Sequence, residues 1–419
     1  MADAAPTLDI PVIASGELPF TWKKAARGWG HPLHKLSQYI GAYPPSLAHY
    51  FIQQLSDEGQ VVLDPFSGSG TTILEALLTN RRAIASDSFY YAYILSHAKA
   101  HPMTLNQFQH YLRAKIEESR KIAINEFDLQ NPDLLASYSP STLEQIVRLR
   151  AVLQYDESLE AKFTKSLICG ILHGPSRMFL SLPQKDTVSS TPRYVERYSQ
   201  EHNLIAPDRD IYECAINKAQ RCLKAPFPQN NGQVYLADSR NLEYVASNSV
   251  DLIVTSPPYL AVLDYTWNNW LRVWWLGRDR KAERANLTLT RREEVYRPFM
   301  RKTLAEMYRV LRPNSAAVIV VGDIKIGTKA RTEVVNSALL IWEEARQVGF
   351  GIDRLINDTY ALNNRSMLVY NSLKWDYGVE DHAMKSSVLI DRCLVLTKGT
   401  IQWRNRPIMW KANQLELGL

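Results

Sequence analysis

Two short stretches of this 419-residue sequence carry residue types that could do chemistry, and the first is Ser256-Pro257-Pro258-Tyr259. It follows an apolar run that predicts a buried strand. Proline has no N–H to give to a sheet and its fixed φ ends regular pairing, so the prolines could simply terminate that strand. The alternative is a rigid platform on which a hydroxyl, a carbonyl and an aromatic ring hold a flat, polar substrate.

The second stretch runs Asp64-Pro65-Phe66-Ser67-Gly68-Ser69-Gly70-Thr71-Thr72 and joins an acid at a predicted strand end to a glycine turn and a helix start. Gly68 and Gly70 allow positive φ and let a ligand approach the backbone, while a helix N-terminus favours a carboxylate or phosphate. The spacing fits neither a P-loop, which continues with Gly-Lys-Ser/Thr, nor the G-x-G-x-x-G dinucleotide pattern.

Asp87 and Asp238 end two further predicted strands. The carboxyl ends of parallel strands face the crevice in which open α/β sheets bind ligands, so Asp87 could accept from ribose hydroxyls and Asp238 from an adenine amino group. Each acid alone is more often a cap or turn residue. Together with Asp64 and the glycine turn, the three acids favour a ligand of the adenosine type.

Taken together, D-P-F-S-G-S-G-T-T and T-S-P-P-Y resemble the motifs of the amino-methyltransferases that use S-adenosyl-L-methionine to modify exocyclic amines in DNA. The resemblance covers residues 31–100 and 233–400. It implies a cofactor site at the turn and at the later strand ends, formed by Asp64, Pro65, Phe66, Gly68, Ser69, Gly70, Thr71, Asp87 and Asp238. The S-P-P-Y form is typical of cytosine-N4 enzymes, whereas adenine-N6 enzymes more often carry D-P-P-Y or N-P-P-Y.

The resemblance also gives the four platform residues catalytic roles. The Ser256 side chain and the Pro257 carbonyl would accept the two N–H groups of the cytosine amine and aim its lone pair at the methyl sulfonium, while Pro257 and Pro258 stiffen the turn. Tyr259 would stack on a base flipped out of the duplex. Upstream, His34 and Lys35 would line the methionine end of the cofactor, although a purely structural histidine is an equal alternative.

Strand-like and helical segments alternate along the chain, which predicts an α/β fold with a mostly parallel sheet. With the resemblance, the expected fold is a Rossmann-like class I methyltransferase with a seven-stranded sheet. Strands are predicted near residues 61–64, 82–87, 233–238, 251–255, 316–322, 353–360 and 392–397. The gap after the second strand is too long for one crossover, so residues 101–230 predict a helical insert and a candidate target-recognition subdomain. The methyltransferase domain is then divided into residues 1–100 and 231–419.

Residues 272–302 contain ten basic and four acidic residues, and tryptophans stand beside and within this segment at positions 267, 270, 274 and 275. Cationic side chains next to flat aromatics suit a phosphate backbone with accessible bases. A solvated helix face over a packed tryptophan stripe is the alternative. Residues 363–367 (N-N-R-S-M) lie where relatives place a loop against the flipped base.

The composition, with 46% hydrophobic and 22% charged residues, is that of a globular protein. The absence of an apolar run of about 18 residues argues against a membrane span, and the N-terminus lacks the pattern of a secretion signal. The four cysteines show no C-x-x-C spacing, so we expect reduced thiols, no metal site and a cytoplasmic protein. The expected partners are double-stranded DNA and a cognate restriction endonuclease of a defence system. Adenine-N6 methylation, RNA methylation and a catalytically silent homologue are the alternatives.

Overall fold

The computed structural model describes residues 12–14, 30–124, 126–183, 190–228, 232–260, 264–322, 324–328, 331–361 and 388–406. The strands in these ranges are β1 (Val12–Ala14), β2 (Val61–Asp64), β3 (Arg82–Asp87), β4 (Gln233–Leu236), β5 (Val250–Thr255), β6 (Leu311–Gly322), β7 (Ile324–Thr328), β8 (Arg331–Val335), β9 (Gly351–Ala361) and β10 (Val388–Lys398). Residues 363–367 lie outside the described residues.

The helices follow the same chain order, and a short 3-10 helix at Pro32–Lys35 precedes them. They are α1 (Pro45–Leu55), α2 (Thr71–Leu78), α3 (Tyr90–Ala100), α4 (Leu105–Ser119), α5 (Glu126–Leu129), α6 (Pro132–Leu135), α7 (Pro140–Leu153), α8 (Leu159–Cys169), α9 (Pro192–Glu201), α10 (Ile211–Cys222), α11 (Tyr265–Asn268), α12 (Trp270–Trp275), α13 (Arg280–Ala285), α14 (Glu293–Val310) and α15 (Ser337–Val348).

The main sheet has the strand order β1-β9-β10-β6-β5-β2-β3-β4. The antiparallel strand β10 lies between β9 and β6, and the other neighbouring strands pair in parallel. The predicted seven-stranded, mostly parallel, Rossmann-like sheet is confirmed. The structure adds β1 as a short edge strand, and β7 and β8 form a separate antiparallel pair that the sequence analysis did not predict.

The central strands β2 and β5 are buried along their whole length. Val62 pairs with Leu252, and Leu63 pairs with Ile253. Because side chains alternate across a strand, Val62 and Leu252 join the core under α1 and α2, while Leu63 and Ile253 join the core under α14 and α15. Both faces of the sheet are therefore covered, as apolar runs in parallel strands require.

Helices α4 to α10 lie between β3 and β4, in the region for which the sequence predicts a helical insert. Helices α4 to α8 and α10 share one hydrophobic core with α3, the 3-10 helix and α12. This core includes Tyr91 of α3, Phe163 of α8, Leu33 of the 3-10 helix and Trp275 of α12. The insert is thus packed against the elements that carry the site. The exact division at residues 100 and 230 stays a prediction.

Candidate active site

The glycine turn connects the end of β2 to the start of α2. Gly68 has φ +48° and Gly70 has φ +73°, both in the left-handed region that favours glycine. A Cβ on Gly70 would lie 2.9 Å from the Cα of Ser96, and a Cβ on Gly68 would lie 3.1 Å from the Tyr39 ring. Glycine at both positions is therefore required by conformation and by close packing.

Helix α3 supports this turn from behind. The Ser96 hydroxyl donates to the Ser67 hydroxyl at 2.9 Å, and the Lys99 ammonium donates to the Ser69 carbonyl at 2.5 Å. Lys99 is only 1% exposed, and burial lowers its pKa to about 7. Neither support was predicted from the sequence. The available signal was a group of polar residues, Ser96, His97 and Lys99, in a helix that is otherwise apolar.

Asp87 closes the turn from the end of β3. Its carboxylate accepts from the Gly68 N–H and from the Phe89 N–H, each at 2.9 Å, through different oxygens. Each oxygen keeps a second lone pair for another donor. Burial raises the pKa of Asp87 to about 6, and the nearby carboxylates of Asp64 and Glu283 act in the same direction.

Asp64 joins the turn to the strand that carries the second motif. Its carboxylate accepts from the Thr255 hydroxyl at 2.6 Å and from the Phe66 N–H at 3.1 Å. Tyr43 also donates to it at 3.4 Å. Burial raises the pKa of Asp64 to about 6, although these hydrogen bonds oppose that rise. Asp64 is therefore a structural connector between the two motifs.

The remaining turn residues have distinct surroundings. Pro65, which separates Asp64 from Phe66 in the chain, is buried. The Ser69 and Thr71 hydroxyls lie 2.8 Å apart at the start of α2. The partly exposed Phe66 ring lies 6.0 Å from the Phe299 ring in an edge-to-face arrangement, which leaves an aromatic surface beside the turn.

The Ser-Pro-Pro-Tyr motif follows β5 directly. Pro257 is buried, whereas Ser256, Pro258 and Tyr259 are partly exposed. The Tyr296 hydroxyl of α14 donates to the Pro258 carbonyl at 3.0 Å, and burial keeps Tyr296 protonated by raising its pKa. Within the described part of the chain, no hydrogen bond engages the Ser256 hydroxyl or the Pro257 carbonyl.

His34 is linked to helix α2 by a hydrogen bond to the buried carboxylate of Glu75. Its Nε2 is 2.7 Å from Glu75, whose other oxygen is 2.9 Å from His49 Nδ1. Burial alone would raise the pKa of Glu75, but hydrogen bonds from the two histidines lower it to about 2, while burial lowers the pKa of His34 to about 4. Neutral His34 therefore donates through Nε2. Its buried Nδ1 is an acceptor with no partner among the described residues.

Lys35 and Asp238 differ from the other predicted cofactor residues. The Lys35 side chain is exposed, and its carbonyl accepts from the Lys218 ammonium at 2.6 Å. Both oxygens of Asp238 accept from the Arg240 guanidinium, at distances from 2.5 to 3.0 Å. Burial would raise the pKa of Asp238, but these bonds lower it. Any ligand donor would have to share Asp238 with Arg240.

Three of the four tryptophans near the basic segment are packed into the protein. The indole N–H groups of Trp270, Trp274 and Trp275 donate to Ser190, Asp128 and Lys165, respectively. Arg272 is also buried. Trp267 differs, because it is 41% exposed and the Arg280 guanidinium lies 4.7 Å from its ring centroid.

The described residues were also compared with the requirements of a metal site and of a membrane-spanning helix. No group of three or more His, Cys, Asp and Glu side chains in those residues is arranged to hold a metal ion. Likewise, none of the helices described above is both long enough and apolar enough to cross a membrane.

Comparison with protein families places both motifs in one match. Residues 21–95 and 250–392, just over half of the chain, match the model of a DNA methylase family, N6_N4_Mtase. The unmatched residues between these two segments include the helical insert. The match thus covers the elements that form the turn and the Ser-Pro-Pro-Tyr motif.

Individual relatives match shorter segments. The chain is 22% identical over 130 residues to the type II methyltransferase M.MjaII of Methanocaldococcus jannaschii, covering 31% of this chain and 24% of that protein. It is 44% identical over 50 residues to the orphan methyltransferase M.BamHII of Bacillus amyloliquefaciens, covering 12% and 19%. The aligned part is thus a quarter or less of each relative. A candidate DNA modification methylase from Thermus thermophilus, solved with S-adenosyl-L-methionine, gives a TM-score of 0.25 at 21% identity over 41% of this chain and 55% of that one.

Proposed function

Because the chain belongs to the DNA methylase family whose model matches both of its motifs, we propose that it methylates the exocyclic N4 amine of cytosine in double-stranded DNA, with S-adenosyl-L-methionine as cofactor. The observation that carries this proposal is the junction of the two motifs. Thr255, which directly precedes Ser256, donates to Asp64 of the glycine turn at 2.6 Å. A cofactor at the turn and a base at the platform would therefore be neighbours.

The described residues fit this cofactor. Asp87 retains lone pairs for hydroxyl donors, as a ribose would supply. Gly68 and Gly70 leave the turn without side chains, and His34 Nδ1 is a buried acceptor suited to an ammonium group. When bound, S-adenosyl-L-methionine supplies an electrophilic methyl group on a positively charged sulfur.

The platform residues act on the cytosine amine, whose lone pair is otherwise delocalised into the ring. The Ser256 hydroxyl and the Pro257 carbonyl accept its two N–H groups and favour a tetrahedral nitrogen with a directed lone pair. The two prolines and the bond from Tyr296 to the Pro258 carbonyl fix these acceptors before the substrate arrives, so little reorganisation is needed during the reaction.

Tyr259 supports the base itself. Its partly exposed ring packs against the core under α14, which holds one side of the ring in place. A base inside a duplex cannot reach this position, so the target nucleotide must leave the stack, and Tyr259 offers an aromatic surface on which it stacks. One amine proton leaves after the methyl group is gained, and partly exposed Ser256 gives it a route to water.

Nucleoside mass spectrometry tests the assignment. Purified protein is incubated with isotopically labelled S-adenosyl-L-methionine and either genomic DNA or, in a parallel reaction, total RNA, and the nucleic acid is then digested to nucleosides. We expect labelled N4-methylcytosine from the wild type and none from Ser256→Ala at matched cofactor occupancy. Labelled N6-methyladenine would overturn the cytosine assignment, and label only in an RNA substrate would overturn DNA as the target.

We further propose that the methylation protects DNA from a cognate restriction endonuclease. DNA from cells that express the protein should resist at least one restriction endonuclease whose site contains the methylated base. DNA from cells that express Ser256→Ala serves as the matched control and should be cut. Equal cutting of both samples by a panel of endonucleases, despite detectable methylation, would argue against a protective role.

A further inference from the structure

We propose that Trp267 and Arg280 form a preassembled DNA-contacting surface beside the catalytic motif, in which the indole stacks on a base next to the flipped nucleotide and cationic side chains of α13 contact phosphates. This inference rests on the proposed function, because it takes double-stranded DNA as the substrate. It identifies the surface on which the DNA next to the flipped nucleotide would bind.

Trp267 is exposed to solvent, unlike the other tryptophans around it. Among the four tryptophans in this region, the other three bury their rings or donate their indole N–H groups within the protein. Trp267 leaves 41% of its surface exposed only eight positions after Tyr259. Large exposed aromatics beside a catalytic motif are unusual unless they meet a ligand or partner, and every base offers a face for stacking.

The Trp267 ring is held in place by neighbouring residues while a large part of its surface stays exposed. Asp264 accepts from the Trp267 N–H and from the Thr266 N–H, both at 3.1 Å, and so caps α11. The Arg280 guanidinium lies 4.7 Å from the Trp267 ring centroid, and Arg284 pairs with Asp264 at 3.1 Å. The side chain loses little conformational entropy on binding, which favours its use as a contact.

The helices that carry Trp267 and Arg280 contact the elements around the glycine turn. Tyr265, also on α11, stacks on Tyr39 with ring centroids 6.1 Å apart, and Tyr39 lies against Gly68. On α13, buried Glu283 accepts from the Tyr90 N–H at 3.0 Å, at the start of the helix that follows Asp87. Trp267 and Arg280 are therefore anchored to the elements that form the active site.

The charges on α13 and its flanks complement DNA. Arg278, Arg280, Lys281 and Arg284 lie within seven residues, and Asp279 and Glu283 are the acids among them. Glu283 is buried and bonded to Tyr90 and Arg278, so it contributes little negative charge to the exposed face. That face is cationic and lies beside an exposed ring, which is the combination that binds phosphates and bases together.

The test uses the full-length protein with Trp267→Ala and Arg280→Ala. Arg82→Ala and Trp267→Phe are the controls, since Arg82 is an exposed arginine at the start of β3, the end of that strand opposite to Asp87, and phenylalanine keeps an aromatic ring for stacking. Steady-state methylation of genomic DNA gives KM for DNA and kcat, and calorimetry gives the Kd for S-adenosylhomocysteine. Analytical ultracentrifugation gives the oligomeric state.

We expect Trp267→Ala to raise KM for DNA about 5- to 150-fold, the range of a lost base–aromatic stack, with the cofactor Kd unchanged. Arg280→Ala should also reduce the slope of log affinity against log salt by about 0.9, as for one lost phosphate contact. The controls should match the wild type in both measurements.

Unchanged KM and salt slope in both variants would overturn the inference while leaving the proposed function intact. So would a change in oligomeric state with DNA binding preserved, because the surface would then bind a second copy of the chain. A wild-type protein that methylates no DNA would instead contradict the proposed function itself.

Discussion

The Thr255 hydroxyl donates a 2.6 Å hydrogen bond to the Asp64 carboxylate, and both side chains are 1% exposed. One residue ends β5 just before the Ser-Pro-Pro-Tyr motif, and the other ends β2 at the glycine turn. The two strands are parallel neighbours in the sheet. This single contact therefore fixes the distance between the place where a cofactor would bind and the place where a base would be held.

Removing this contact should affect both stability and catalysis. Thr255→Val keeps the shape of the side chain but removes one of the two donors to the same buried Asp64 oxygen, the Phe66 N–H being the other, which should lower the free energy of unfolding by about 1–3 kcal/mol. The single-turnover rate of methyl transfer should fall as well, because the two motifs lose their link. Urea unfolding and rapid-quench assays measure these effects. Thr255→Ser retains the hydroxyl and is the control, so equal behaviour of the two variants would contradict the link.

Gly70→Ala should abolish binding of S-adenosylhomocysteine in a folded protein. Its φ of +73° is strained for alanine, and the new Cβ would lie 2.9 Å from the Ser96 backbone, so the turn must move. Gly59→Ala provides the matched control, since Gly59 has φ +78° but no atom within 4 Å of the new Cβ. It should show only the backbone strain, about 1–2 kcal/mol, with normal cofactor affinity. Normal affinity in Gly70→Ala would remove the turn from the site.

Cofactor affinity should rise with pH through the titration of Asp87. Burial raises the pKa of this acid to about 6, so in the free protein the ionised form costs stability, and that cost grows as the pH rises from about 4 to about 6. Hydroxyl donors of a ribose favour the carboxylate, so S-adenosylhomocysteine should bind more weakly at pH 5 than at pH 7. Asp64 also titrates near pH 6 but is covered by Thr255 and Tyr43.

Calorimetry across this pH range compares the wild type with Asp87→Asn. The variant should bind weakly at every pH and should lose the Asp87 contribution to the pH dependence. A pH profile of Asp87→Asn that parallels the wild type would assign the titration to another group.

Lys99→Met should change the pH dependence of stability. Burial lowers the pKa of Lys99 to about 7 from its usual 10.5, so the unfolded chain holds more protons than the folded chain between these values. The free energy of unfolding contributed by Lys99 therefore rises with pH over this window, and the methionine variant should lack that rise. Urea unfolding at several pH values measures the difference, and the exposed Lys302→Met is the control. Lys99→Met should also bind the cofactor more weakly, because its hydrogen bond to the Ser69 carbonyl is lost.

The parts of the site that the sequence predicts are those with local signals. The glycine turn, the acid at the end of each strand and the proline pair are readable because conformation and composition coincide within a few residues. The supports are different. Ser96, Lys99 and Tyr296 act through contacts with residues distant in the chain, and their own neighbours in sequence do not distinguish them from ordinary buried polar residues.

The surroundings of Asp238 and of the tryptophans near the basic segment could not be predicted from the sequence alone. Asp238 has the strand-end position of a ligand residue, but Arg240, two positions later, occupies both of its oxygens. Three tryptophans of the basic segment share a helix and its flank, and spacing alone could not show that all three indoles pack inward while Trp267 stays exposed. For Asp238 the deciding residue is close in sequence, but the direction of its side chain is not readable from the sequence. For the tryptophans the deciding residues are distant in the chain and close only in space.

The bond between Thr255 and Asp64 also has a consequence for folding. Its two residues are 191 positions apart, and β5 occupies the middle of the sheet between β2 and β6. During synthesis the glycine turn and the whole helical insert emerge before β5 exists, so the local helices can form while Asp64 still lacks its donor. Contacts of such long sequence separation carry a large loop-closure cost and form late. We therefore expect the glycine turn and the Ser-Pro-Pro-Tyr motif to come together in one late step, when β5 enters the sheet, and not gradually as the chain lengthens.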